Sequence, residues 1–403
     1  MQFSSSGKPV VDISAIRAET PGCAVVAHFN HSGASLASTA VLTQINAHLA
    51  AEASCGPIEA GIAATPLLED LRQSVAQLLN AHCSEVAFTS SAAASWGLAF
   101  SALPAFKPGD RILMGRHEWG GNMATMHATA RRCGASLEVI PCDPTGAVST
   151  DALRQMLDSR VKLVSLTWCP ANGGLVNPAA QIGSICRAAG VPYFVDAGQA
   201  LGQLCVDVRE LQCDVLTGAG RKYLRGPRGT GILYLRREFI PALMPAYLDV
   251  RSAPWHEGAF HIREDAQRFE AGEVPIALLL GLKAAVESTL ALGVSTIRAR
   301  IKMLAEELRA RLSDLRGVRL LDLGHQHSGL VSFNIDALPA DEVRRRLLQQ
   351  GFNVAANLSG YTPLDMTTRR LASVVRASVH VFNTEDEVDR LVKAIRDIAT
   401  GVG

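Results

Sequence analysis

Residues 191–235 read VPYFVDAGQALGQLCVDVRELQCDVLTGAGRKYLRGPRGTGILYL. The apolar run 191–195 ends directly in the carboxylate of Asp196. A helical segment is expected over 197–211. A second apolar run, 214–216, leads into Thr217-Gly218-Ala219-Gly220, and that small-residue stretch delivers Arg221 and Lys222. A third run, 229–235, closes the unit. Strand, helix, strand, with polar residues at the strand ends, is how an α/β sheet presents a site. Asp196 and Lys222 are therefore expected on one edge of a sheet.

The same alternation extends outward. Strand-like runs occupy 86–89, 111–114, 137–141, 161–167, 191–195, 215–217 and 231–235, with helical segments at 92–103, 120–133, 149–158 and 178–189. Seven strands alternating with helices predict a mostly parallel sheet covered on both faces. The last two strands are joined by short Gly/Pro/Arg-rich text and are expected to be antiparallel, at an edge. Upstream lie helical patterns at 38–54 and 65–82; Leu67, Leu68, Leu71, Val75, Leu78 and Leu79 give the second a helical period. Downstream, 240–272 is irregular, and a long helical connector over 275–315 is interrupted near Gly293. Strands at 318–323, 330–335, 353–356 and 374–381 then alternate with helices at 339–350 and 384–399. The chain divides into an N-terminal arm (1–30), a large domain (31–289) and a small C-terminal α/β domain (290–403).

Hydrophobic residues make up 48% and charged residues 19%, which suits a well-buried protein. Lys plus Arg number 39 against 38 Asp plus Glu, so charge points to neither nucleic acid nor an anionic membrane as partner. The first twenty residues carry one lysine and no long apolar stretch, unlike a signal peptide, and a cytoplasmic location is expected. The 9 cysteines form no CxxC pair and none lies beyond 213, so they read as small apolar residues, not metal ligands or disulfides.

A lysine at a strand edge, partly desolvated and next to Arg221, has a depressed pKa, as an amine that forms a Schiff base requires. A buried-type strand running into Asp196 calls for a partner to its charge. A pyridinium nitrogen is one, and a lysine Schiff base with an aspartate on the ring nitrogen is the signature of pyridoxal phosphate. The stretch Phe88-Thr89-Ser90-Ser91-Ala92-Ala93-Ala94-Ser95 supplies small residues at a helix N-terminus, where free N–H groups can approach a phosphate.

The ordering FTSSAAAS, VDAGQ, GRK resembles the class V aminotransferase superfamily of fold-type I pyridoxal-phosphate enzymes, over about residues 25 to 395. The superfamily includes cysteine desulfurases, isopenicillin N epimerase-like proteins and hercynylcysteine sulfoxide lyases. The resemblance implies Lys222 as the Schiff-base lysine and proton shuttle, Asp196 on the ring nitrogen and Gln199 on the phenolic oxygen. It implies the N–H groups of Ala92 and Ala93, with Arg221, on the phosphate. Trp119 falls where relatives stack a ring on the cofactor, with a core tryptophan as the alternative. Arg376 matches the arginine that forks the substrate carboxylate, with a salt-bridged strand arginine as the alternative. The expected asparagine falls one position off, at Asn172. His28, His31 and Ser35 either line the entrance beside the substrate or serve as caps, and Tyr361 is read likewise. Relatives are homodimers, which implies one here.

The departures shape the functional expectation. The loop 355–368 lacks the nucleophilic cysteine of cysteine desulfurases, which sets that activity aside. Ala219 stands where relatives often carry serine, and Glu273 where a threonine reaches the neighbouring subunit's phosphate. The expected reaction runs through an external aldimine and a Cα carbanion of an amino-acid substrate. The first expectation is β-elimination by a C–S lyase on a cysteine conjugate; the alternatives are an aminotransferase, an epimerase or a decarboxylating variant of secondary metabolism.

Overall fold

Side chains two apart along a strand share one face of a sheet. In the central strands Tyr193 and Val195 join one buried cluster and Phe194 the other; Leu113 and Ile112 divide in the same way. Both faces of this sheet are therefore covered, as near-continuous apolar strands require.

The structure, a computed structural model, describes residues 12–401. In chain order its first half comprises α1 (Ile13–Ala18), β1 (Ala27–His28), α2 (Thr39–Cys55), α3 (Pro57–Leu79), β2 (Val86–Thr89), α4 (Ala92–Ser101), β3 (Arg111–Gly115), α5 (Gly120–Cys133) and β4 (Ser136–Ile140). Next come α6 (Thr150–Met156), β5 (Val161–Thr167), α7 (Ala179–Ala189), β6 (Tyr193–Asp196), α8 (Val208–Leu211), β7 (Val215–Ala219) and β8 (Gly231–Leu235). A hairpin of β9 (Trp255–His256) and β10 (Ala259–Phe260) precedes α9 (Ile276–Leu292) and α10 (Val294–Ser313). The C-terminal part holds β11 (Val318–Leu320), β12 (Leu330–Ile335), α11 (Ala340–Gln349), β13 (Phe352–Asn353), β14 (Ala355–Leu358), α12 (Pro363–Thr368), β15 (Ser373–Ser378) and α13 (Glu385–Thr400).

The central sheet has 7 strands in the order β2-β8-β7-β6-β5-β3-β4. Only β8 opposes the others, so the sheet is mostly parallel as expected. It is not at the edge, however: β8 is hydrogen-bonded to β7 on one side and β2 on the other. The text joining β7 to β8 makes the antiparallel return legible, whereas the insertion beside β2 is a long-range pairing. The helix expected over 197–211 shrinks to α8. Residues 197–204 form turns, and Gly202 adopts φ +89 where a Cβ would stand 2.4 Å from the Tyr223 carbonyl carbon. That close approach keeps the loop short against the lysine-bearing turn.

The second unit is a 4-stranded antiparallel sheet, β11-β12-β15-β14, with its own apolar core. Ile16, Ala27 and Phe29 belong to that core, and β1 pairs in parallel with β13. Residues 13–29 thus pack with the C-terminal part of the chain, while residues 1–11 of the expected arm lie outside the described residues. The long connector bends by 81° between α9 and α10. Among the described residues no single helix is long and apolar enough to cross a membrane.

A buried ion pair locks α3 to the end of the large unit. Arg72 Nη1 donates to Glu270 Oε1 at 2.8 Å, and the same oxygen accepts the Phe88 N–H at 2.9 Å. Both side chains are buried. Glu270→Ala leaves the buried Arg72 with only the half-exposed Glu69 carboxylate, 3.5 Å from its Nε, which costs up to about 3–5 kcal/mol. Urea unfolding is expected to show that loss; a change under about 1 kcal/mol would contradict the assignment.

Candidate active site

The C-terminal ends of the parallel strands meet at one edge, and the register places Thr167, Asp196 and Thr217 side by side. The turn after β7 adds Arg221 and Lys222. Thr167, Asp196, Arg221 and Lys222, together with Ser91, Ala92, Ala93, Trp119 and Gln199, surround a cavity of about 150 Å³. Cys169, Ala171 and Ala219 complete its wall. Three chain segments that are distant in sequence therefore converge as expected.

Lys222 is the buried amine of this cavity. Burial is the dominant cause that lowers it to about 7, and Arg221 and Arg376 push the same way against Asp196. A substantial neutral fraction at physiological pH follows. Asp196 accepts the Gly198 N–H on Oδ1 at 2.8 Å and Asn122 Nδ2 on Oδ2 at 3.1 Å. A Cβ on residue 198 would stand 2.9 Å from Asp196 Oδ1, 3.6 Å from Lys222 Nζ and 3.7 Å from Ala92 Cβ. A side chain there would fill the space between the carboxylate, the amine and the N-terminus of α4.

That N-terminus has two donors to spare. Ser91 Oγ caps the Ala94 N–H at 3.1 Å, and the Ser95 N–H goes to Ser91 O. The N–H groups of Ala92 and Ala93 have no partner inside the helix. An anion on them gains from the helix dipole. Arg221 lines the same cavity with its Nε buried and unpartnered. Gln199 gives Nε2 to Ser32 O at 3.0 Å, and its Oε1 is buried without a partner. A buried amine, a carboxylate, an anion cradle and these orphaned polar atoms fit pyridoxal phosphate.

Arg376, on β15, is buried behind the wall residue Ala171 and donates to its carbonyl at 2.6 Å. Its Nε has no partner, and burial lowers the guanidinium to about 10 with no carboxylate among the influences on it. A buried cation without an anion is poised for one. The alternative of a salt-bridged strand arginine is not what the structure holds. Trp119 caps α5 at the cavity mouth and its ring lies 5.4 Å from that of Tyr361, tilted by 36°. The core-tryptophan alternative likewise gives way to a position on the cavity wall.

Two expected site residues are not brought to the cavity. His31 is fully buried in a histidine and phenylalanine cluster; Nδ1 contacts Ser35 Oγ at 2.8 Å, and Nε2 contacts His28 O and Asn383 Oδ1. Both ring nitrogens are used in fastening the N-terminal turn, so none remains for a substrate. Asn172 donates to Leu358 O at 3.2 Å and accepts from Asn357 at 2.8 Å. Ala171, one residue earlier, faces the cavity in its place. Glu273 lines a separate cleft of about 500 Å³ with Ser90 and Tyr247.

The family Aminotransferase class-V matches residues 28–391. The chain belongs to the class V aminotransferase family. It is 32% identical over 349 residues to a cysteine desulfurase of Dickeya dadantii, covering 83% of this chain and 82% of the relative. Among solved structures it is similar to a cysteine desulfurase of Thermococcus onnurineus, with a TM-score of 0.90, 25% identity and 98% and 99% of the two chains covered. It is also similar to the cystine C–S lyase C-DES in complex with cysteine persulfide, with a TM-score of 0.85, 26% identity and 94% and 99% covered. This class V protein is an enzyme, its cofactor is pyridoxal phosphate, and its fold is that of the fold-type I enzymes.

These likenesses overturn the functional expectation that set cysteine desulfurases aside in favour of a lyase on a cysteine conjugate. Its premise holds, since residues 355–368 contain no cysteine. Its inference fails on chemical grounds. Desulfuration to alanine needs a thiolate to take the substrate sulfur as the Cβ–S bond breaks, but that thiolate need not belong to the 355–368 loop; a thiol from outside the loop can supply it.

The sequence reading also missed Glu118 and Asn122 of this class V enzyme. A glutamate following a buried strand, with an asparagine four residues on at a helix start, was the available signal. Lys222 gives a direct pH prediction. An amine attacks an aldehyde only when unprotonated, so the rate at which the apoprotein captures pyridoxal phosphate rises with pH through about 7 and then levels off. Stopped-flow absorbance measures it, and a flat profile from about pH 6 to about pH 8.5 would contradict the assignment.

Proposed function

We propose that this enzyme is a cysteine desulfurase: it cleaves the Cβ–S bond of L-cysteine, leaves alanine and passes the sulfur atom to a thiol. The observation that carries the reading is the cavity lined by a neutral-prone Lys222 and Asp196, with Arg376 buried behind its wall and no carboxylate among the influences on it, in a chain similar to named cysteine desulfurases over most of its length. Bound pyridoxal phosphate supplies an electron sink for negative charge at the substrate α-carbon. Asp196 would accept from the ring nitrogen, and the Ala92 and Ala93 N–H groups with Arg221 would hold the phosphate. Arg376 receives the substrate carboxylate in a bidentate fork, which orients the α-carbon over the Lys222 amine. Lys222 takes the α-proton and returns one. Trp119 lines the cavity, and its ring lies against that of Tyr361.

A second reading concerns the sulfur acceptor. Cys169, in the cavity wall, has a thiol that burial pushes up to about 12, so it is held neutral and is a poor acceptor. With none on the 355–368 loop, cystine is favoured as a substrate that carries its second sulfur with it. Cystine and water would give cysteine persulfide, pyruvate and ammonia, which balances atom for atom.

The test incubates the cofactor-loaded enzyme separately with L-cysteine plus a small thiol and with L-cystine. Alanine with equal sulfide supports the desulfurase reading; pyruvate with persulfide from cystine supports the second. Neither product from either substrate would sink both. We also propose a homodimer, supported by exposed Leu42, Leu49, Ile58 and Ile62 on α2 and α3. Light scattering would report twice the 42.9 kDa chain mass.

A further inference from the structure

Glu118 is 1% exposed, yet no lysine, arginine or histidine is among the charges acting on it. Its Oε1 accepts from Asn122 Nδ2 at 2.9 Å, Thr167 Oγ1 at 2.8 Å and the Trp119 N–H at 3.2 Å; its Oε2 accepts from Ser165 Oγ at 3.1 Å. Four neutral donors hold the carboxylate without neutralising it. Burial pushes Glu118 up to about 7, and Asp196 adds to the effect. The other titratable group facing it is the Tyr193 phenol of β6, which burial keeps protonated. Lys222 and Asp196 also act on one another, and both line the cavity. A buried carboxylate without a cation costs stability, which invites the question of what it serves.

The Asn122 amide answers it. The same Nδ2 that donates to Glu118 also donates to Asp196 Oδ2 at 3.1 Å. One NH2 group spans two carboxylates, with one proton to each. With the Gly198 N–H on Oδ1, both oxygens of Asp196 are fixed in orientation. The second carboxylate, which does not line the cavity, places a further negative charge near Asp196.

We propose that Glu118, acting through Asn122, is a positioning residue that fixes Asp196 for the ring nitrogen of pyridoxal phosphate and shares the positive charge arriving there. This rests on the reading of Asp196 as the ring-nitrogen partner. Linkage is reciprocal: a cation held better when Glu118 is ionised must itself favour the ionised form. Cofactor binding therefore draws a proton off Glu118 near neutral pH, and removing the Glu118 charge loosens the cofactor.

The apoproteins of wild type and E118Q are titrated with pyridoxal phosphate by calorimetry at about pH 7 in buffers of different ionisation heat, which yields the protons released. Changes at Lys222 are common to both and cancel in the difference. E118Q is expected to release roughly half a proton fewer, as a group titrating near neutrality would give. It is also expected to lose bound cofactor about tenfold faster. N122A keeps Glu118 but cuts the bridge; it should lose cofactor as fast as E118Q, and the double variant no faster than either.

Unchanged proton release and unchanged cofactor loss in E118Q would make Glu118 a purely structural carboxylate and overturn the proposal. Should E118Q fail to fold, infrared spectra of wild type decide. The carbonyl band of a protonated buried carboxyl is expected in the apoprotein at about pH 6 and should vanish when cofactor binds; a band that persists overturns the proposal. A wild-type protein that takes up no cofactor would instead bring down the reading of the cavity, and this inference with it.

Discussion

Lys222→Ala is expected to lower kcat/KM for sulfur release by about four orders of magnitude or more, because one residue supplies both the Schiff-base amine and the α-proton carrier. Its visible absorbance with pyridoxal phosphate should shift from that of a lysine-bound cofactor to that of the free aldehyde. The effect belongs to the amine alone. Lys222 is buried and has no anion beyond the nearby Asp196, so removing it relieves desolvation and should leave the unfolding midpoint unchanged or raised. Alanine or pyruvate formation, read beside a thermal melt, checks both halves. Residual activity above about a tenth of wild type would remove Lys222 from the chemistry.

Arg376→Ala is expected to act on binding. The guanidinium is buried and has no carboxylate among the influences on it from the described residues, so it has retained its capacity for one in the substrate. Losing a desolvated carboxylate contact costs about 2–5 kcal/mol. Most of this should appear as KM raised by about a hundredfold or more, with kcat falling less, since Lys222 and Asp196 are untouched. Arg376→Lys keeps the charge but not the fork, and it should recover only part of the loss. Steady-state kinetics separate the two parameters. Equal losses in kcat and kcat/KM would instead assign Arg376 to an interaction made only in the transition state.

The two variants differ in how visible their residues were beforehand. Lys222 follows a strand and four small residues, and Asp196 terminates an apolar run; both signals are local. Arg376 has no such context within 373–378, and its role came from resemblance alone. In the structure its meaning comes from Ala171, which lies 205 positions away in the chain. Similar reasoning explains His31 and Asn172. Each looked available because polar residues in a turn read as ligands or caps, and each is engaged by a partner from the far end of the chain. No pattern over a few residues can show that a ring nitrogen is already taken.

By itself the sequence determined the α/β class, the seven-stranded sheet and the cofactor, because strand and helix periods and the Asp196 and Lys222 contexts are written in adjacent residues. The tertiary structure alone decided that β8 lies inside the sheet, that Arg376 has no anion among the described residues, and that Asn122, which holds Glu118, also reaches Asp196 across 74 residues of chain. These are matters of long-range pairing and of which buried groups lack a partner. They come into being only when separate elements close on one another and exclude water.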